Sequence, residues 1–78
     1  MTAGYPLRIS LLGLGRAGNF HLQSLDLTEA AQLTCVFDID TEKASMIGQQ
    51  HGCDHAREPA EAIERPDVDA VIVATPTN

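Results

Sequence analysis

Aromatic side chains are scarce in this sequence: one Tyr, two Phe and no Trp, or 4% of 78 residues. Any core must therefore be packed from aliphatic groups. Cysteine is scarce too. Cys35 and Cys53 form no CxxC pair and no disulfide framework. Unpaired thiols fit a reducing compartment, so a cytoplasmic protein is expected. Basic residues number five against eleven acidic, a net charge of −6. That field repels a phosphate backbone on average, which argues against nucleic acid as a partner. No apolar run approaches the ~18 residues of a membrane span. Met1 to Pro6 shows neither the basic nor the long apolar segment of a secretory signal, so neither a membrane partner nor export is expected. A chain of this size buries only about 60–65% of its unfolded surface. One small domain with a thin core is the expectation.

What is present alternates. Leu7 to Leu12 is apolar apart from Arg8 and Ser10, and reads as a strand of a parallel sheet. A glycine turn follows from Gly13 to Gly18. Ala17, Phe20, His21, Ser24 and Leu25 then recur at helical spacing, predicting a helix to about Leu27. Leu33 to Phe37 is rich in β-favouring residues. Asp40 and Thr41 are N-cap candidates for a helix over Glu42 to Gln50, with Gly48 as its weak point and Gly52 as its stop. Cys53 to Ala56 fits a short third strand. Pro59 opens a helix over Ala60 to Glu64, and Val68 to Ala74 is the strongest strand signal. Thr75-Pro76-Thr77-Asn78 turns away from it.

Strand–helix alternation of this kind predicts an α/β fold, a partial Rossmann fold with a parallel sheet in order 3-2-1-4. The last strand would lie beside the first with its outer edge bare. That edge, and an ending in mid-loop, predict that residues 1–78 are an incomplete dinucleotide-binding domain of a longer protein.

The chemistry concentrates in Gly13-Leu14-Gly15-Arg16-Ala17-Gly18, a GxGxxG between a strand and a helix. Gly13 permits the tight turn. Gly15 lets a pyrophosphate approach the backbone, and Gly18 lets the helix pack closely on the strand. The helix start offers unpaired N–H groups and about half a positive charge to phosphates. Arg16 can add its side chain or serve through its backbone alone. Asp38 lies twenty residues after Gly18, where its carboxylate can accept from ribose hydroxyls. The same charge repels a 2′-phosphate, and neither Ile39 nor Asp40 is basic. NAD is therefore favoured over NADP. A methyltransferase more often shows GxGxG, and an FAD site usually has Glu at the place of Asp38. His51, Cys53, Asp54 and His55 cluster in sequence but offer no zinc-like spacing, so no metal site is expected. His21 reads as a packed helix residue and Cys35 as core.

Gly13 to His21 resembles the GxGxxGxxH signature of the glucose–fructose oxidoreductase and inositol dehydrogenase (Gfo/Idh/MocA) family. Pro66-Asp-Val-Asp-Ala-Val-Ile-Val-Ala-Thr-Pro76 resembles that family's fourth-strand segment. The resemblance implies that Asp38 is the ribose acid and that Ala74, Thr75, Pro76 and Asn78 line the cofactor cleft on the nicotinamide side. It implies a second α/β domain that binds substrate and mediates homo-oligomers. It also implies a Glu-Lys-Pro motif soon after the fourth strand. None of these parts lies within residues 1–78, so no catalytic residue is assigned. The expected function is the nucleotide-binding portion of an oxidoreductase moving hydride between NAD and a sugar, inositol or related polyol. The alternative is a non-catalytic NAD(H) sensor, for which the same glycines and Asp38 would serve.

Overall fold

The computed structural model describes residues 6–74. Seven elements follow one another: β1 (Leu7–Leu12), α1 (Arg16–Asp26), β2 (Ala31–Phe37), α2 (Thr41–His51), β3 (Asp54–His55), α3 (Pro59–Ile63) and β4 (Ala70–Val73). The strands form one parallel sheet in the order β3-β2-β1-β4. The predicted α/β alternation and strand order are both present.

Each face of the sheet carries its own apolar layer. Leu11, Leu14, Leu22, Val36, Ala44 and Ile47 pack together on the side of α1 and α2. Leu12, Cys35, Phe37, Ala56 and Ala62 pack on the side of α3. Leu11, Leu14 and Val36 are fully buried. Each such side chain contributes about 1.5–3 kcal/mol. Ser10 is the buried polar residue of β1, and its hydroxyl donates to the Ala62 carbonyl at 2.7 Å. That bond ties α3 to the central strand.

β2 departs from simple alternation. Ile9 pairs with Leu33, but Ser10 pairs with Cys35, so Thr34 is an extra residue. The irregularity has a packing cause. Leu33 and Val36 both lie against the α1–α2 layer, although they are three apart. One inserted residue reconciles that spacing with a two-residue repeat.

The helix that the spacing of Ala17, Phe20, His21, Ser24 and Leu25 predicts is present over Arg16–Asp26. In the structure Gly18 and Leu22 are buried and His21 and Leu25 half-buried, while Ala17, Phe20 and Ser24 are exposed. Phe20 is 67% exposed. The close approach of Gly18 to the turn after β1 sets which face of α1 points inward. β4 is also shorter than Val68 to Ala74. The Val68 N–H bonds back to the Arg65 carbonyl at 3.3 Å, so that segment is still turning. Gly48 has a contact that explains its place within α2: a Cβ there would lie 2.9 Å from the Cys53 carbonyl oxygen.

Candidate functional site

The carboxyl ends of three adjacent strands finish at one level. Leu12 pairs with Phe37 on one side and with Val73 on the other. The next residues, Gly13, Asp38 and Ala74, therefore stand in a row. The Gly13 N–H donates to the Phe37 carbonyl at 2.7 Å, and the Ala74 N–H to the Leu12 carbonyl at 2.7 Å. Ligands of open α/β sheets sit outside the carboxyl ends, where the strand order reverses, and β1 and β4 form that reversal here. Thr75, Pro76 and Asn78 lie outside the described residues.

The glycine turn is shaped by two different constraints. Gly13 has φ 100°, a conformation that side chains rarely adopt. Gly18 is required by space. A Cβ there would overlap the Gly13 carbonyl oxygen and lie 2.8 Å from its carbon. The first turn of α1 thus presses directly on the end of β1. Gly15 differs from both. A Cβ built on it meets no atom within 4 Å, so the protein's own packing does not demand a glycine. A side chain there would fill only the open space in front of the loop.

α1 opens on Gly15 with no side-chain cap and no acid in its first turn. Its first hydrogen bond runs from the Asn19 N–H to the Gly15 carbonyl at 2.8 Å. The N–H groups of Arg16, Ala17 and Gly18 precede that ladder, as helix geometry dictates. The other two helices begin differently. Asp40 caps α2 by accepting from the Lys43 N–H at 3.2 Å, and Glu42 stands in its first turn. At the start of α3, the Glu61 carboxylate accepts from the Arg57 N–H at 2.6 Å and the Glu58 N–H at 3.3 Å. Of these three starts, only that of α1 has neither a side-chain carboxylate bonded to an amide at its opening nor an acid in its first turn. The donor set, the open space at Gly15 and the positive end of a helix of eleven residues fit an anionic diphosphate.

Asp38 stands beside this turn. Its Oδ2 accepts from the Leu14 N–H at 2.7 Å, and its Oδ1 from the Asp40 N–H at 2.8 Å. Asp40 is the helix cap, as expected. The bond from Leu14 is a contact that sequence reasoning missed, because it joins residues twenty-four apart. The extra residue Thr34 makes it reachable. Without it, Phe37 rather than Asp38 would be level with Gly13.

The remaining candidates disperse. Arg16 is exposed at the mouth of α1. His21 is half-buried, edge-on to Phe20 with ring centroids 6.2 Å apart. His51 Nδ1 lies 3.5 Å from Asp26, whereas Asp54 pairs with Arg65 at 2.8 Å. Cys53 packs against the α1–α2 layer. Burial pushes its thiol up to about 11, and burial also raises the Cys35 thiol. Neither suits a nucleophile at neutral pH.

Parallel strands meeting an uncapped glycine-rich helix start, with an acid at the next strand end, define a dinucleotide-binding half of a Rossmann fold. The family model described as oxidoreductase family, NAD-binding Rossmann fold, matches residues 7–78. The chain belongs to this Gfo/Idh/MocA family, and it is an NAD-binding domain. Among curated relatives, it is 36% identical over 73 residues to the myo-inositol 2-dehydrogenase of Thermotoga maritima, covering 92% of this chain and 22% of that protein. It is 36% identical over 76 residues to the scyllo-inositol 2-dehydrogenase (NAD(+)) of Bacillus subtilis, covering 95% and 22%. A crystal structure of a probable dehydrogenase from Thermotoga maritima superposes with a TM-score of 0.85 at 36% identity, covering 92% of this chain and 22% of that one. The chain thus spans about a fifth of the length of the relatives it matches.

Proposed function

We propose that this chain is the cofactor-holding portion of an NAD-dependent dehydrogenase acting on a hydroxyl carbon of inositol or a related polyol. The observation that carries the proposal is the alignment of Gly13, Asp38 and Ala74 at the carboxyl end of the sheet, beside the start of α1, which has no side-chain cap. In this reading the amides of Gly15 to Gly18 receive the pyrophosphate, with Arg16 at the rim and Leu14 anchoring the turn beneath them. Asp38 receives the adenosine ribose. Ala74, Thr75, Pro76 and Asn78 form the wall toward the nicotinamide. When bound, the nicotinamide supplies the redox chemistry. The residues of this chain bind and orient it.

The acid at position 38 supports NAD over NADP, since a carboxylate repels a 2′-phosphate and no basic residue stands beside it. The matched relatives are dehydrogenases by name, which supports an enzyme over a redox sensor. Residues 1–78 are then an incomplete first domain, and substrate is held by a further domain that also mediates homo-oligomers. The test is made on the full-length protein. It should bind NADH in a fluorescence titration and reduce NAD when given inositols. Binding of NADH without turnover of any polyol or sugar would favour the sensor. No binding would end both readings.

A further inference from the structure

We infer that Asp38 is a positioning residue for the glycine turn before any cofactor arrives. This inference rests on the reading of Asp38 as the ribose acid and adds a second, ligand-independent duty. Its two oxygens are each engaged by a backbone amide, Leu14 N–H on Oδ2 at 2.7 Å and Asp40 N–H on Oδ1 at 2.8 Å. One carboxylate therefore spans the turn after β1 and the turn after β2. Leu14 is the residue between Gly13, with φ 100°, and Gly15, which opens α1. Holding the Leu14 amide holds the turn on both sides of it.

The clamp explains why the residue must be an acid and not merely polar. An ionised carboxylate has only acceptors, about four lone-pair positions on two oxygens. One on each oxygen serves a backbone amide, which leaves one on each for a ribose hydroxyl. An asparagine has one accepting oxygen and one donating NH2. In either orientation it sets a donor against one of the two amides. Leu14 is fully buried, so the turn it anchors has little freedom to move away and relieve that conflict. The ribose contact and the shape of the phosphate cradle are thereby set by one side chain. Loss of the acid should loosen the cradle as well as remove a sugar contact.

The test is hydrogen exchange, read by mass spectrometry on peptides spanning residues 13–18, in the cofactor-free full-length protein. In the unmutated protein the amide at Leu14 should exchange at least about a hundredfold more slowly than in an unstructured peptide. In Asp38→Asn it should exchange about tenfold or more faster than in the unmutated protein. Peptides covering α3 should be unchanged in the variant, which shows that it is folded. Unprotected Leu14 in the unmutated protein overturns the inference, whatever the variant does. So does unchanged exchange in a folded variant. NADH affinity, measured on the same samples, separates the two ideas. Weakened binding with unchanged exchange leaves the ribose reading standing and removes the clamp. Faster exchange with undiminished binding keeps the clamp and removes the ribose reading.

Discussion

The two ends of the sheet use polar groups in opposite ways. At the amino end, guanidinium groups meet carboxylates. Arg8 binds Asp69 through Nε and one terminal nitrogen at 3.1 and 3.0 Å, while the Arg8 N–H adds a 2.8 Å bond to the same carboxylate. Arg65 grips Asp67 with two bonds of 2.8 Å and reaches Asp54 at 2.8 Å. These side chains are matched to one another. At the carboxyl end, backbone amides of α1 stand uncapped, and Asp38 serves two of the amides around them. The amino end holds the strands together, and the carboxyl end keeps donors in reserve. Binding capacity and stability are thus separated along the strand axis, so one can be altered with little effect on the other.

Gly18→Ala should break this separation most severely. Its Cβ would overlap the Gly13 carbonyl, and α1 would have to lift from the sheet. A loss of about 1–3 kcal/mol or more is expected. The urea midpoint and the NADH affinity of the full-length protein should fall together. A variant with both unchanged would contradict the close approach.

Asp38→Ala should act at the carboxyl end alone. Removing hydrogen bonds to a charged group costs about 1.5–3 kcal/mol, so NADH should bind about tenfold or more weakly. An unaltered titration curve would remove Asp38 from the site.

Arg65→Met is the converse change. It keeps the aliphatic stem and strips the guanidinium from Asp54 and Asp67. The urea midpoint should fall modestly, because ion pairs this exposed are screened by solvent. NADH affinity should not move. A drop in affinity would show that the two ends are coupled after all.

The smallest effect is a pH dependence. Hydrogen bonds from Arg65 hold the Asp67 carboxyl below its usual range, and those from Arg8 do the same for Asp69. Unfolding returns both to values near about 3.9, so the unfolded chain binds more protons in acid. The stabilisation is complete above that value and is lost as pH falls through the lower folded values. Arg8→Gln should flatten the Asp69 part of this acid limb, lowering stability slightly at neutral pH, where that stabilisation is complete, and leaving it nearly unchanged in strong acid, where it is already lost. An identical acid limb in the variant would show that the pair contributes nothing.

Much of this was legible in the residue order. The glycine spacing, the alternation of strands and helices and the place of Asp38 follow from short-range rules. A turn with positive φ takes glycine, a helix needs a cap and a stop, and a strand is recognised by its apolar run. The order 3-2-1-4 follows from connection rules and is what forms. Those rules act over a few residues and survive in any context.

Other features depend on contacts between distant segments. The extra residue at Thr34 is invisible in Leu33 to Phe37, because it answers to the layer that Leu33 and Val36 must share. The rotation of α1, which exposes Phe20 and buries Leu22, follows from Gly18 pressing on Gly13. The Asp38–Leu14 bond exists only once β1 and β2 lie side by side in their shifted register. Local sterics wrote the motif into the chain. Register, helix rotation and the clamp came from packing, since each needs two remote surfaces to meet before its energy exists.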